Sequence, residues 1–141
     1  MLRRPVECRL HAGIDVNEPY HAFAATFFKS AAEPSSPLSP FSAESSPARD
    51  AAVAMFREVV EGSSVKLDPE LRRELPELLW LSWMGVVLFW VYDRSPGRRR
   101  TRRLIDGAVP LIDRLVSLSS LRVLRPALRQ VLALIAAMRR D

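Results

Sequence analysis

The chain has 141 residues, 48% hydrophobic and 26% charged, which is enough for one domain with a single core and too short for two ordinary ones. A lone cysteine, Cys8, excludes an internal disulfide and a thiolate metal site, and it suits a reducing cytoplasm. The net charge of +5 is unevenly spread: residues 1–93 carry nine basic and thirteen acidic side chains, residues 94–141 twelve and three, so the two parts attract each other.

No secretory signal is expected, because Met1-Leu2-Arg3-Arg4 is not followed by an apolar run. Residues 1–16 interleave Arg3, Arg4, Glu7, Arg9 and Asp15 with short apolar stretches, and Gly13 interrupts them, which predicts a poorly ordered segment or a short, frayed helix. From Glu18 the pattern sharpens. Asn17 is placed to cap a helix, Pro19 suits its first turn, and Tyr20, Phe23, Ala24, Phe27, Phe28 and Ala31 recur at helical spacing before Pro34 ends it. The stretch EPSSPLSPFSAESSP spaces prolines among serines and predicts an extended, polyproline-like connection pinned by Leu38 and Phe41. Ser45 or Ser46 then caps a helix with Pro47 in its first turn, turning Ala52, Met55, Phe56, Val59 and Val60 inward and closing at Gly62.

Asp68-Pro69 predicts a short helical turn leading into LPELLWLSWMGVVLFWVY, residues 75–92, where Pro76 suits a first turn and Glu74 and Glu77 the positive end of the dipole. Trp80, Trp83, Val87 and Trp90 fall on one stripe of this helix, while Leu78, Leu81, Leu88 and Phe89 cover other sides, so it needs neighbours all round. A membrane span is the rival reading. The charge-free run of residues 78–92 rises roughly 22 Å against a hydrocarbon core of about 30 Å, which favours the central helix of a soluble bundle.

After Asp93-Arg94-Ser95-Pro96-Gly97 a further helix places Leu104, Ala108, Leu111, Ile112, Leu115 and Leu118 on one apolar stripe, with a kink expected at Pro110 near Gly107. The last helix, from about Arg125 or Pro126 to Arg139, aligns Leu124, Leu128, Val131, Leu132, Ile135 and Met138, and Arg139 and Arg140 suit its negative end. The fold class that follows is an all-α helical bundle, with residues 17–141 as one helical unit.

Catalysis finds little support. His11 and His21 stand ten residues apart with no cysteine or carboxylate at metal-ligand spacing, and there is no phosphate-binding glycine loop and no nucleophile motif, so neither enzyme activity nor a cofactor or metal is expected. Arg98-Arg99-Arg100-Thr101-Arg102-Arg103 would neutralise phosphates, yet it lacks interleaved aromatics and sits where cations oppose a helix dipole. A solvated ion-pair network with Glu70, Glu74, Glu77 or Asp93 is the preferred reading of it. Tyr20, Phe23, Phe27, Met55, Phe56, Trp80, Trp83, Met84 and Trp90 form either a filled core or the wall of a cavity for an apolar small molecule.

The block ELPELLWLSWMGVVLFWVYDRSPGRRRTRRLIDGAVPLIDRLVSL, with EPYHAFAATFFKSAAEPSSPLSPFSAESSPARDAAVAMFREVVEGS before it and LRPALRQVLALI after, resembles the C-terminal regulatory domain of TetR-family transcriptional regulators. The resemblance covers about Glu18 to Arg139. It implies an effector-binding, dimerising domain whose last two long helices build a four-helix bundle across a two-fold axis. The candidate ligand-binding residues are Tyr20, His21, Phe27, Met55, Phe56, Trp80, Trp83 and Met84; the candidate dimer interface is Leu104, Ala108, Leu111, Leu115, Leu128, Leu132 and Ile135. The expected partners are a second copy of the chain and an apolar small-molecule effector, in the cytoplasm, with DNA reached only through a helix-turn-helix that has no counterpart before Glu18. The alternative is a small membrane-associated or stand-alone helical dimerisation protein.

Overall fold

A computed structural model describes residues 2–138, which form six α-helices: α1 (Arg3–Asn17), α2 (His21–Ala31), α3 (Ser46–Glu61), α4 (Pro69–Tyr92), α5 (Arg99–Leu118) and α6 (Arg125–Met138). The all-α reading holds, and α4 is the axis on which α1, α2, α3 and α5 pack. Arg139 and Arg140, assigned above to a helix end, lie outside the described residues.

Where a frayed segment was expected, α1 is fifteen residues long and buries Val6, Leu10 and Ile14 at i, i+4 and i+8. Gly13 does not break it. The indole of Trp83 lies against the backbone there, so that a Cβ on Gly13 would stand 2.5 Å from the ring, and glycine is what allows α1 to approach α4 this closely. Asn17 is likewise no cap: it closes α1, its side-chain amide donating back to the Gly13 carbonyl at 2.7 Å, and a single 3₁₀ turn, Glu18–Tyr20, carries the chain into α2.

The proline- and serine-rich connection is a chain of tight turns rather than an extended strand. Backbone N–H groups of Ser36, Ser39 and Ser42 each bond to the carbonyl three residues earlier, and the Ser42 hydroxyl donates to the carbonyls of Ser39 and Pro37. Serines spaced by three satisfy successive turns that the intervening prolines, lacking N–H, cannot disturb. Ser39 is the buried residue of this segment, while Leu38 and Phe41 stay exposed, Phe41 touching Trp80 edge-on at 5.6 Å.

Pro69 to Tyr92 is one helix of twenty-four residues, not a short turn followed by a longer helix. Asp68 caps it by accepting from the Glu70 N–H at 3.0 Å, which moves Pro76 from the first turn to the interior and leaves Glu74 and Glu77 well past the dipole end. Arg72 ties this start to the preceding segment through the Val60 and Val65 carbonyls at 3.2 and 2.7 Å. Among the described residues α4 alone is long and apolar enough to cross a membrane by length and composition. It is not covered all round: Leu75, Leu79, Trp80, Val86, Trp90 and Val91 are core, whereas Leu81, Gly85, Leu88 and Tyr92 form an exposed stripe.

Between α4 and α5, Gly97 and Arg98 both take left-handed backbone angles, and Arg98, whose guanidinium carries donors only, cannot accept from the free N–H groups of α5. Asp93 does so from a distance. Its buried carboxylate accepts from the N–H and hydroxyl of Ser95 at 2.8 and 2.6 Å and from the N–H and hydroxyl of Thr101 at 2.9 and 2.7 Å. Burial alone pushes this carboxyl up, but the four hydrogen bonds outweigh it and hold the group far below the usual carboxylate range. Helix α5 is continuous through Pro110, and a side chain at Gly107 would meet nothing, so no packing depends on that glycine.

The apolar residues of α5 serve two faces instead of one. Ile105, Val109 and Val116, with Ile112 half-buried, pack inward beside the buried Thr101, while Leu104, Leu111, Leu115 and Leu118 point out. Burial of Ile14, Val60, Ile105 and Val109, all at 0–1% exposure, contributes about 1.5–3 kcal/mol each.

Candidate functional site

Two apolar clefts meet on the side of α4 that faces α2 and the turn-rich connection. The larger, about 580 Å³, runs between Phe28 and Ala31 of α2, Ser39, Pro40 and Phe41 of the connection, and Leu81, Met84, Gly85 and Leu88 of α4. The second, about 310 Å³, shares Phe28, Ala31, Pro40 and Met84, and continues past Phe27, Leu38, Trp80, Trp83 and Val87 to Ser45, Ala48, Arg49 and Ala52 of α3 and the residues before it. Both lie in the size range of small-molecule sites, and their walls are overwhelmingly apolar. Gly85 borders open space in the larger one, with nothing within 4 Å of the position its Cβ would take.

Of the eight sequence-based ligand candidates, Phe27, Trp80, Trp83 and Met84 line these clefts. The others are elsewhere. Tyr20 is 64% exposed at the start of α2. His21 donates through Nε2 to the Trp90 carbonyl at 2.8 Å and stands edge-on to the Trp90 ring at 4.7 Å, a histidine satisfied by its neighbour. Met55 and Phe56 lie on the far side of Trp83 around a gap of about 130 Å³ with Leu10 and Gly13, because α3 turns Phe56 toward α1 and leaves Met55 on the surface. The connection and the outer α4 positions Leu81, Gly85 and Leu88 are not among those eight; a glycine between two leucines at helical spacing is the sequence signal that marks this side of α4.

The three tryptophans have separate surroundings despite sharing a stripe. Trp83 covers Gly13, Trp80 meets Phe41, and Trp90 donates its Nε1 to Glu18 Oε2 at 3.0 Å. The same Glu18 pairs with Arg98 at 2.9 Å, so one carboxylate joins the end of α4 to the start of α5. The arginine cluster is therefore anchored by Glu18 and Asp15 from the N-terminal elements, Arg102 pairing with Asp15 at 2.7 Å, and Arg100 lies 5.7 Å over the Phe89 ring of α4. Asp93 offers Arg98 only its backbone carbonyl.

His11 also finds a carboxylate that its sequence neighbourhood did not suggest, with Nε2 at 2.7 Å from Asp106 of α5. Glu7, His11 and Asp106 place three ligand atoms within 4.8 Å of one another, the one such group among the described residues that could hold a metal ion. Glu7 already pairs with Arg3 at 3.6 Å, and the exposed Asp106 and half-buried His11 satisfy each other.

Of the sequence-based interface candidates, Leu111 and Leu115 are 57% and 59% exposed, Leu104 is partly exposed and Ala108 half-buried. Leu132, at 3% exposure, is the buried residue of α6 and seats the helix on its own chain, with Leu128 and Ile135 half-buried beside it. The outward apolar side chains of α6 are Val131, Leu134 and Met138 instead.

Among known proteins, a family model described as "Tetracyclin repressor-like, C-terminal domain" matches residues 6–134. No curated protein matches the chain.

Proposed function

The chain belongs to the tetracyclin repressor-like C-terminal domain family, and from that premise we propose that it is a ligand-sensing, dimerising regulatory domain of a TetR-like transcriptional regulator, non-catalytic and cytoplasmic. The observation that carries the ligand part is the pair of apolar clefts between α2, the turn-rich connection and α4, with Gly85 bordering open space in the larger one. An apolar effector there touches three separate pieces of chain at once. It acts by favouring whichever arrangement of α2 and α4 it binds better, and α4 passes that preference to α5 through the knot of Asp93, Glu18, Trp90 and Arg98.

Dimerisation is supported by the second apolar face of α5 and the outward residues of α6, which the chain's own core leaves uncovered. DNA contact is not assigned to the arginine cluster, because Arg98 and Arg102 are committed to Glu18 and Asp15.

The test is a panel of uncharged apolar compounds, 1-decanol among them, titrated against tryptophan emission and melting temperature. Binding moves both, the melting temperature because a ligand at a hundred times its Kd adds about 2.7 kcal/mol to stability. A panel that moves neither removes the effector reading.

A further inference from the structure

We infer that the two clefts select an apolar chain bearing one carboxylate, and that Arg49 receives its head. This rests on the effector-binding reading above and adds the chemistry of the ligand.

Among the residues lining the two clefts Arg49 is the only charged one, the remainder being apolar apart from Ser39 and Ser45. It is half-buried, and its Nη1 donates to the Pro40 carbonyl at 2.8 Å and, more weakly, to the Ser42 carbonyl at 3.4 Å. No carboxylate among the described residues pairs with it; the adjacent Asp50 takes a hydrogen bond from Ser46 instead. A partly desolvated guanidinium without a counter-charge is unfavourable, and a ligand that brings one recovers that cost.

Position adds to charge. Arg49 lines the smaller cleft, and its guanidinium lies 2.8 Å from the carbonyl of Pro40, a residue that borders both. The planar fork of arginine retains donors at Nε and Nη2, and a carboxylate accepts two parallel hydrogen bonds from such a fork where an alcohol accepts one. The tail then lies along Trp80, Met84 and Leu81 toward the space over Gly85. An ammonium head in the same place would be repelled.

Decanoate and 1-decanol, equal in chain length and differing in the head, are titrated at pH 7 into the 141-residue chain and into Arg49→Gln and Arg49→Lys, with tryptophan emission as readout and far-ultraviolet circular dichroism as the check on folding. Decanoate is expected to bind the unaltered chain at least tenfold more tightly than decanol; Arg49→Gln abolishes the preference and Arg49→Lys keeps part of it. Equal binding of the two probes overturns the inference and leaves the effector reading standing, as does a folded Arg49→Gln chain that still prefers decanoate. If neither probe nor any neutral apolar compound binds, the effector reading fails and this inference with it. Should Arg49→Gln not fold, the comparison of the two probes on the unaltered chain and on Arg49→Lys decides.

Discussion

Asp93 carries more of the structure than its place at the end of a helix suggests, because one carboxylate satisfies two backbone N–H groups and two hydroxyls at the α4–α5 junction. Asp93→Ala strands those donors in a buried setting and is expected to lower stability by about 3 kcal/mol, measured by urea unfolding. The pH dependence follows from the sign of the shift. The carboxyl is depressed below its ordinary 3.8 in the folded chain only, so its contribution is full above that value and drains away as the pH falls from about 4 toward the folded value. Asp93→Asn should flatten that acid limb. Gly13 gives an independent test at the same scale: alanine ordinarily gains about 1 kcal/mol over glycine inside a helix, but here its Cβ meets Trp83. Gly13→Ala is therefore expected to destabilise by about 1–3 kcal/mol, and a stabilised variant would contradict the close approach of α1 to α4.

At the scale of the element, α4 is decided by which of its sides are covered. Its inner side is core against α1, α3 and α5, and its outer stripe of Leu81, Gly85 and Leu88 forms one wall of a cleft. Because nothing occupies the space beyond Gly85, Gly85→Leu should leave stability unchanged or raise it by up to about 1 kcal/mol through helix propensity. The same variant should abolish the fluorescence response to apolar ligands by filling the larger cleft. A loss of stability of about 1–3 kcal/mol would instead mean that the region is close-packed.

For the whole molecule the decisive feature is that α5 has two apolar faces while the described residues cover one of them. Leu111→Arg and Leu134→Arg, both at exposed positions, are expected to convert a dimer at tens of micromolar into a monomer by light scattering while leaving the helical circular dichroism intact. Leu132→Arg should behave differently: it buries a charge within the chain and lowers stability by about 3–5 kcal/mol before any effect on assembly. A monomeric unaltered chain at that concentration would remove the dimer proposal.

The residues alone sufficed for the all-α class, the positions of α2, α3, α5 and α6 within a few residues, and the resemblance to a TetR-type regulatory domain, because helical periodicity and capping are local and sequence-encoded. They misplaced what depends on contact. Gly13 reads as a helix breaker until Trp83 lies on it, Pro76 as a helix start until Asp68 caps the helix earlier, and the serine-rich connection as extended until its serines satisfy one another's turns. The site divided in the same way. An apolar helix rich in aromatics announces a surface to be covered, but which side α2 and the connection cover, and that Arg49 lines the smaller cleft, depends on the directions in which six helices cross. Those directions are set by side-chain packing between residues up to ninety-five positions apart, such as His11 and Asp106, and no local pattern records them.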